Sequence, residues 1–319
     1  MGMTPPADTA PLRAVTDAER EAFERDGVVH LPAIHPPDWV DYLRTQLVDI
    51  FDRQPERPMD QRSVSGDRTE GIRVDMAALV DGMRTALPGT AVALEHGPEA
   101  EITGRSIVET DAAHWHHQIR AHHLSGPLPE IVAGLTGDDK VVFYSDQLFL
   151  KEPGSQVRTP FHQDEPYFLV DGAVAVCWVP VDVVGFDNGP MGYVRGSHRW
   201  GRRFKPSDFV TDTGVFPERD GIAHGELEQM PPISLETHDV VYFEAEPGDV
   251  IVHHWSTVHG AAGNVSASAV RRAASVRYAH GDSRFFRRPS SPEPFRDRVD
   301  LADGDPLERA ARFPIVWPR

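Results

Sequence analysis

The chain of 319 residues carries 32 Lys plus Arg against 49 Asp plus Glu, a formal net charge of -17, so its average field repels phosphate backbones and anionic lipid surfaces. Nucleic acid and membranes are therefore not expected as partners. With 40% hydrophobic and 25% charged residues the chain falls among ordinary globular proteins, outside the disordered range, and is long enough for a large buried core.

The single Cys177 excludes an intramolecular disulfide framework and any multi-cysteine metal site, and its apolar neighbours suggest a buried, inert thiol. No stretch approaches the ~18 continuous apolar residues of a membrane span. The opening residues MGMTPPADTAPLRAVTDAER hold no apolar core of signal-peptide length, which makes the cytoplasm the simplest expectation.

In chain order, residues 1–14 read as a flexible tail, and Thr16 stands where an N-cap opens the helix TDAEREAFERDG, closed by Gly27. VVHLPAI follows as a short strand, and PPDWVDYLRTQLVDIFDR as a second helix entered through a Pro pair. Residues 55–107 hold no single period and predict loops and short elements. A histidine-rich helical segment from about residue 109 leads into PLPEIVAGLTG, a helix ending at Gly137. From residue 141 the pattern changes to short β-rich runs: VVFYSDQLFL, AVAVCWVPVDVV, PMGYVRG, DVVYFEAE, GDVIVHHWSTVHG and RRAASVRYA, separated by Gly, Pro, Asn and Asp. Many strands after a block of helices predict a mainly β fold, an antiparallel jelly roll with helices packed on one face. The expected organisation is a tail at 1–14, one catalytic domain over 15–285 and a C-terminal extension over 286–319.

In TPFHQDEPYF, His162 and Asp164 are one residue apart, so an extended backbone sends both side chains to one face, where they can share a metal. A second imidazole from a distant strand completes a two-histidine, one-carboxylate facial triad that leaves coordination positions open. His259, in GDVIVHHWSTVHGAAGN, is the best candidate, and the small residues after it let the chain turn closely past a ligand. Arg271 opens the following strand. A buried Arg needs an anion, and its fork suits a carboxylate, so triad and Arg together specify 2-oxoglutarate better than either does alone.

HQD, the stretch DNGPMGYVRGSHRWG, GDVIVHHWSTVHGAAGN and RRAASVRYA, in that order, resemble the phytanoyl-CoA dioxygenase family over roughly residues 140–280. The resemblance implies a double-stranded β-helix buttressed by N-terminal helices. It also implies His162, Asp164 and His259 as iron(II) ligands, Arg271 as the 2-oxoglutarate anchor and Gln147 as a cosubstrate contact from the preceding strand. Arg272 competes with Arg271, because parity at a strand end is uncertain by one residue. Alternation puts His253 and His254 on opposite faces, so one can lie beside the ligands; Trp178 and Trp255 read as core aromatics, with Trp178 a possible pocket wall.

His114, His116, His117, His122 and His123 predict a solvated helix or lid in preference to a second metal centre. The expected activity is that of an iron(II)- and 2-oxoglutarate-dependent dioxygenase, consuming O2, releasing succinate and CO2 and hydroxylating a small metabolite or natural-product intermediate. Its substrate pocket is expected from residues 55–120 and 199–235. Asp164 stands at the position where related halogenating enzymes have a small residue, which argues against halogenation. The alternatives are a jelly-roll small-ligand-binding protein without redox chemistry, or a cupin-like metal enzyme that consumes no oxygen.

Overall fold

The computed structural model describes residues 3–52, 73–75, 104–207, 215, 218, 222–293 and 299–319. Most of the segment expected to form loops between 55 and 107 lies outside them. Helix α1 (Asp17–Asp26) opens with a reciprocal cap: Thr16 Oγ1 accepts the Glu19 amide and the Glu19 carboxylate accepts the Thr16 amide. It closes at Gly27, whose φ of 73° is left-handed. Strand β1 (Val28–Leu31) and helix α2 (Pro37–Asp52) follow, α2 burying Trp39, Leu43, Leu47 and Phe51 along one stripe. Strands β2 (Arg73–Asp75) and β3 (Ser106–Thr110) then precede helices α3 (Ala112–Trp115), α4 (His117–Ser125) and α5 (Leu128–Thr136), the last closed by left-handed Gly137.

The barrel strands are β4 (Val141–Lys151), β5 (Thr159–His162), β6 (Val170–Asp171), β7 (Val174–Pro180), β8 (Met191–Val194), β9 (Val240–Tyr242), β10 (Val250–His254), β11 (His259–Ala261), β12 (Arg271–His280), β13 (Arg284–Phe285) and β14 (Ile315–Trp317). The major sheet runs β1-β10-β7-β12-β4-β3-β2, with β14 also on β4; the minor sheet runs β5-β11-β8-β9, and β13 pairs with β6. All these pairings are antiparallel. The fold is the expected jelly roll, and most of its strands are non-consecutive neighbours, as a double-stranded β-helix requires.

Period-two alternation decides which residues meet the helices and which meet the barrel interior. On β7, Ala175, Cys177 and Val179 join the cluster formed with α1, α2, α4 and α5, while Val174, Val176 and Trp178 belong to the interior clusters. On β12, Ala274, Val276 and Tyr278 pack outward against the helices, leaving Arg271, Ala273, Ser275 and Arg277 on the inner face. Cys177 is buried and its thiol is pushed up by desolvation, an inert packing residue as expected.

Both chain ends are packed. Trp39 Nε1 donates to Asp8 O at 2.7 Å and Leu12 N to Ile34 O at 2.9 Å, so residues 8–12 lie against the domain and do not form a loose tail. Val299, Leu301, Leu307 and Phe313 enter the cluster around Tyr144 and Phe168, and β14 pairs with β4, so these residues of the expected C-terminal extension are part of the core. Among the described residues no helix is long and apolar enough to cross a membrane.

Candidate metal centre

Strand β5 ends at His162, which sits directly opposite His259 in the β5–β11 register. Asp164 is not extended. Pro166 supplies no amide to a strand ladder, and Asp164, in αR geometry, opens a single 3-10 turn over Glu165–Tyr167 while its amide donates to Trp255 O at 2.9 Å. The expected convergence survives by this different route. Asp164 Oδ1 lies 3.6 Å from His162 Nε2 and 4.0 Å from His259 Nε2, and the three ligand atoms fall within 4.8 Å of one another. Among the described residues no other cluster of His, Cys, Asp or Glu has this geometry.

Each imidazole is aimed by the same device. His162 Nδ1 lies 2.8 Å from Pro160 O and His259 Nδ1 2.9 Å from Thr257 O, so each Nδ1–H donates to a carbonyl two residues upstream and each Nε2 lone pair faces Asp164. Burial disfavours a charged imidazole at His259 and holds it well below the ordinary histidine range. Burial alone would raise the Asp164 carboxyl, but His259, His162, His253 and Arg277 together outweigh it and keep it well below. Two neutral imidazoles and one carboxylate are the donor set that suits iron(II) with open positions, so the residues fit the group.

His253 is the inward member of its pair. Its Nε2 lies 3.6 Å from Asp164 Oδ2, and neither ring nitrogen has a hydrogen-bond partner in its buried position. His254 faces the other way, its Nδ1 accepting the Ser256 amide at 3.2 Å.

Arg271, 1% exposed, faces the interior, donates to Gly189 O through Nε and Nη2 at 3.1 and 2.8 Å, and stacks 5.3 Å from the Trp178 ring. Arg272 faces outward beside Asp182 at 3.4 Å, which resolves the parity of the pair. Lys151, opposite Arg271 in the β4–β12 register, is also buried, and its Nζ donates to Val157 O and Ala262 O. Burial lowers the pKa of both cations, Arg271 to about 10. Among the described residues neither cation has a carboxylate within ion-pair distance, and such an interior end favours a carboxylate. Tyr193, missed by the sequence reading because a Tyr in GPMGYVRG reads as core packing, stacks 6.0 Å from His259 with its hydroxyl buried and unpartnered. Burial and the Asp164 charge push its hydroxyl pKa up, and the Arg271 charge acts the other way. Gln147 Oε1 accepts from Arg277 Nη2 at 2.5 Å.

The small residues after His259 serve strand contact. A Cβ on Gly260 would lie 2.7 Å from Thr159 O and 3.1 Å from Phe161 N, backbone atoms of β5. Gly260→Ala is expected to push β5 away from β11 and with it His162 from His259, weakening iron(II) binding about tenfold or more while near-ultraviolet circular dichroism stays native; metal titration checks this.

The histidine-rich segment divides. His114 and His117 are exposed, as expected. His122 and His123, expected in solvent, are 0% exposed between α4 and β4: their Nδ1 atoms lie 2.9 Å apart, His35 stacks on His122 at 5.1 Å, and His123 Nε2 lies 3.4 Å from Asp146 Oδ2. They form a buried polar layer away from the triad. Beside the turn after Asp164, a cleft of about 540 Å³ is lined by Pro166, Arg203, His224, Leu227, Phe286 and Ser290, partly from the expected 199–235 segment.

The family model described as phytanoyl-CoA dioxygenase (PhyH) matches residues 23–273. Among solved structures, the non-heme alpha-ketoglutarate-dependent epimerase SnoN from nogalamycin biosynthesis is similar at TM-score 0.63 and 20% identity, covering 94% of this chain and 98% of that one. The carbocyclase SnoK from the same biosynthesis gives 0.62 and 22% over 97% and 100%. Apo EctD from S. alaskensis gives 0.52 and 19% over 92% and 89%. At these identities the likeness concerns the fold.

Proposed function

The chain belongs to the phytanoyl-CoA dioxygenase family, and from that premise we propose that it is an iron(II)- and 2-oxoglutarate-dependent oxygenase hydroxylating a small metabolite or natural-product intermediate. His162, Asp164 and His259 hold the iron, and Arg271 holds the far carboxylate of 2-oxoglutarate. The observation that carries this is the convergence of three ligand atoms within 4.8 Å, on residues inside the span that the family model matches. Iron(II) with 2-oxoglutarate and O2 supplies, when bound, the oxidising power to break an unactivated C–H bond, with succinate and CO2 as the cosubstrate's products.

The protein's own part is placement. Pro160 O and Thr257 O fix the two imidazoles, so the donor atoms need no reorganisation when metal arrives. Trp178 backs the Arg271 guanidinium, the Tyr193 hydroxyl offers a donor to a ligand lying between Asp164 and Arg271, and the apolar clusters exclude water. The presence of Asp164 supports oxygenation over halogenation. Solved structures of similar fold are named as an epimerase and a carbocyclase, so the fold by itself does not fix the outcome.

The test is anaerobic titration of purified protein with iron(II) and 2-oxoglutarate, watching for the visible metal-to-ligand charge-transfer band. Wild type is expected to develop the band and Asp164→Ala to lose it. A folded, iron-loaded wild type without the band sinks the reading and favours a binding protein without redox chemistry.

A further inference from the structure

Strand β12 carries two inward arginines, and only one is needed for the cosubstrate. Arg271 sits at its start, opposite Lys151; Arg277 sits six residues on, opposite Val176 and Ser145, about 20 Å further along the strand. The two ends differ. Arg277 lies over the ring of Phe168, which closes the turn that Asp164 opens, so Arg277 is the arginine on the carboxylate side of the triad.

Arg277 is 6% exposed, and its guanidinium lies 5.1 Å from the centre of the Phe168 ring. Gln147 takes one donor, and Nε is buried without a partner. Among the described residues no carboxylate comes within ion-pair distance of it, although other half-buried arginines find one: Arg105 pairs with Glu152, Arg312 with Asp111 and Arg272 with Asp182. Half-buried Glu293, whose carboxyl burial pushes up to about 7, feels the charge of Arg277 without an ion pair to it. A buried guanidinium costs several kcal/mol to desolvate unless an anion meets it. Gln147 and Phe168 hold the group flat without neutralising it, which is how an arginine is kept ready for a planar anion.

We propose that Arg277, steadied by Gln147 and Phe168, receives an anionic group of the substrate, so that the enzyme acts on compounds bearing a carboxylate or comparable oxyanion near the reacting carbon. This rests on the oxygenase reading above and adds the substrate's chemical class. It gives Gln147 a role on the substrate side in place of the cosubstrate contact expected for it. It also gives an acidic protein a local reason to admit an anion against its average field.

The experiment uses protein loaded anaerobically with iron(II) and 2-oxoglutarate, with the charge-transfer band recorded on the same sample. Benzoate and cyclohexanecarboxylate are titrated calorimetrically beside benzamide and cyclohexanecarboxamide. The carboxylates are expected to bind roughly tenfold or more tightly than the matched amides with the band retained. Arg277→Leu is expected to bring them to the amide level and Arg277→Lys to restore part of the difference. The half-saturating 2-oxoglutarate concentration should stay within about twofold of wild type in both variants.

Equal binding of acids and amides to wild type, or no binding by either acid, overturns the proposal without recourse to any variant. So does loss of the band on adding the acids, which puts them on the cosubstrate's side, or a rise in the 2-oxoglutarate requirement of Arg277→Leu. A missing band with the acid preference intact sinks the oxygenase reading and leaves the anion pocket standing.

Discussion

Arg271→Ala is expected to raise the 2-oxoglutarate concentration that half-saturates the anaerobic iron(II) complex by about a hundredfold, while Arg272→Ala leaves it within about twofold. Removing one partner of a buried, hydrogen-bonded charge pair costs about 2–5 kcal/mol, or some thirtyfold to several thousandfold in affinity. Arg271 is fully buried behind Trp178, so no water replaces its two donors; Arg272 lies outside beside Asp182. Lys151 remains in the same end of the barrel and holds the loss toward the lower part of that range. Iron(II) affinity measured without 2-oxoglutarate should be unchanged in both variants. An unaffected Arg271→Ala would remove the cosubstrate anchor from this end of β12.

Acidification is the second large effect. His35 and His122 are wholly buried and stacked on each other. Burial lowers the His35 pKa to about 4 and holds His122 well below its ordinary value. Their surroundings are His123, Trp39 and Pro36 O, with Asp146 reaching only His123. In the unfolded chain both titrate near 6.5. Between that value and about 4 the unfolded state binds the extra protons, so stability is complete above pH 6.5 and falls as the pH drops through this window. Between pH 7 and 5 the His35 shift alone removes about 2 kcal/mol, and the lowered His122 adds to that loss, against the 5–15 kcal/mol of a typical domain. Urea unfolding of metal-stripped protein at pH 7 and 5 measures it, and His35→Phe should flatten the loss. A stability unchanged to within about 1 kcal/mol would mean that water reaches these rings.

What was legible in the sequence followed from period and spacing. The alternation of the strands after residue 141 and the Thr16 and Gly27 caps each have a local cause, and each formed where its cause predicts. His162, Asp164 and His259 converge, yet Asp164 reaches its place through a 3-10 turn, because a proline two residues later outweighs strand continuation. The choice between Arg271 and Arg272 needed the register with β4 and β7, which is a property of three strands and not of one.

Once Arg271 faces inward, period two places Arg277 inward as well; the sequence held that signal, but the apolar company of ASVRYA hid it. His122 and His123 were read as solvated because helix α4 has few apolar residues, and only its packing onto β4 shows which face is covered. Tyr193 stayed invisible because its role depends on lying directly across from His259.

That adjacency bears on how such a catalyst diversifies. His162, His259 and Tyr193 occupy one rung across three strands, so their spacing is set by hydrogen-bond register and not by the lengths of chain that join them. The chain leaves the minor sheet at Val194 and rejoins it at Val240, its direct pairing partner. Because closure entropy grows only with the logarithm of loop length, an excursion between two fixed rungs can lengthen, shorten or change composition at little cost to the fold. The chain between those two rungs can thus change in length or composition while strand register holds the spacing of His162, His259 and Tyr193.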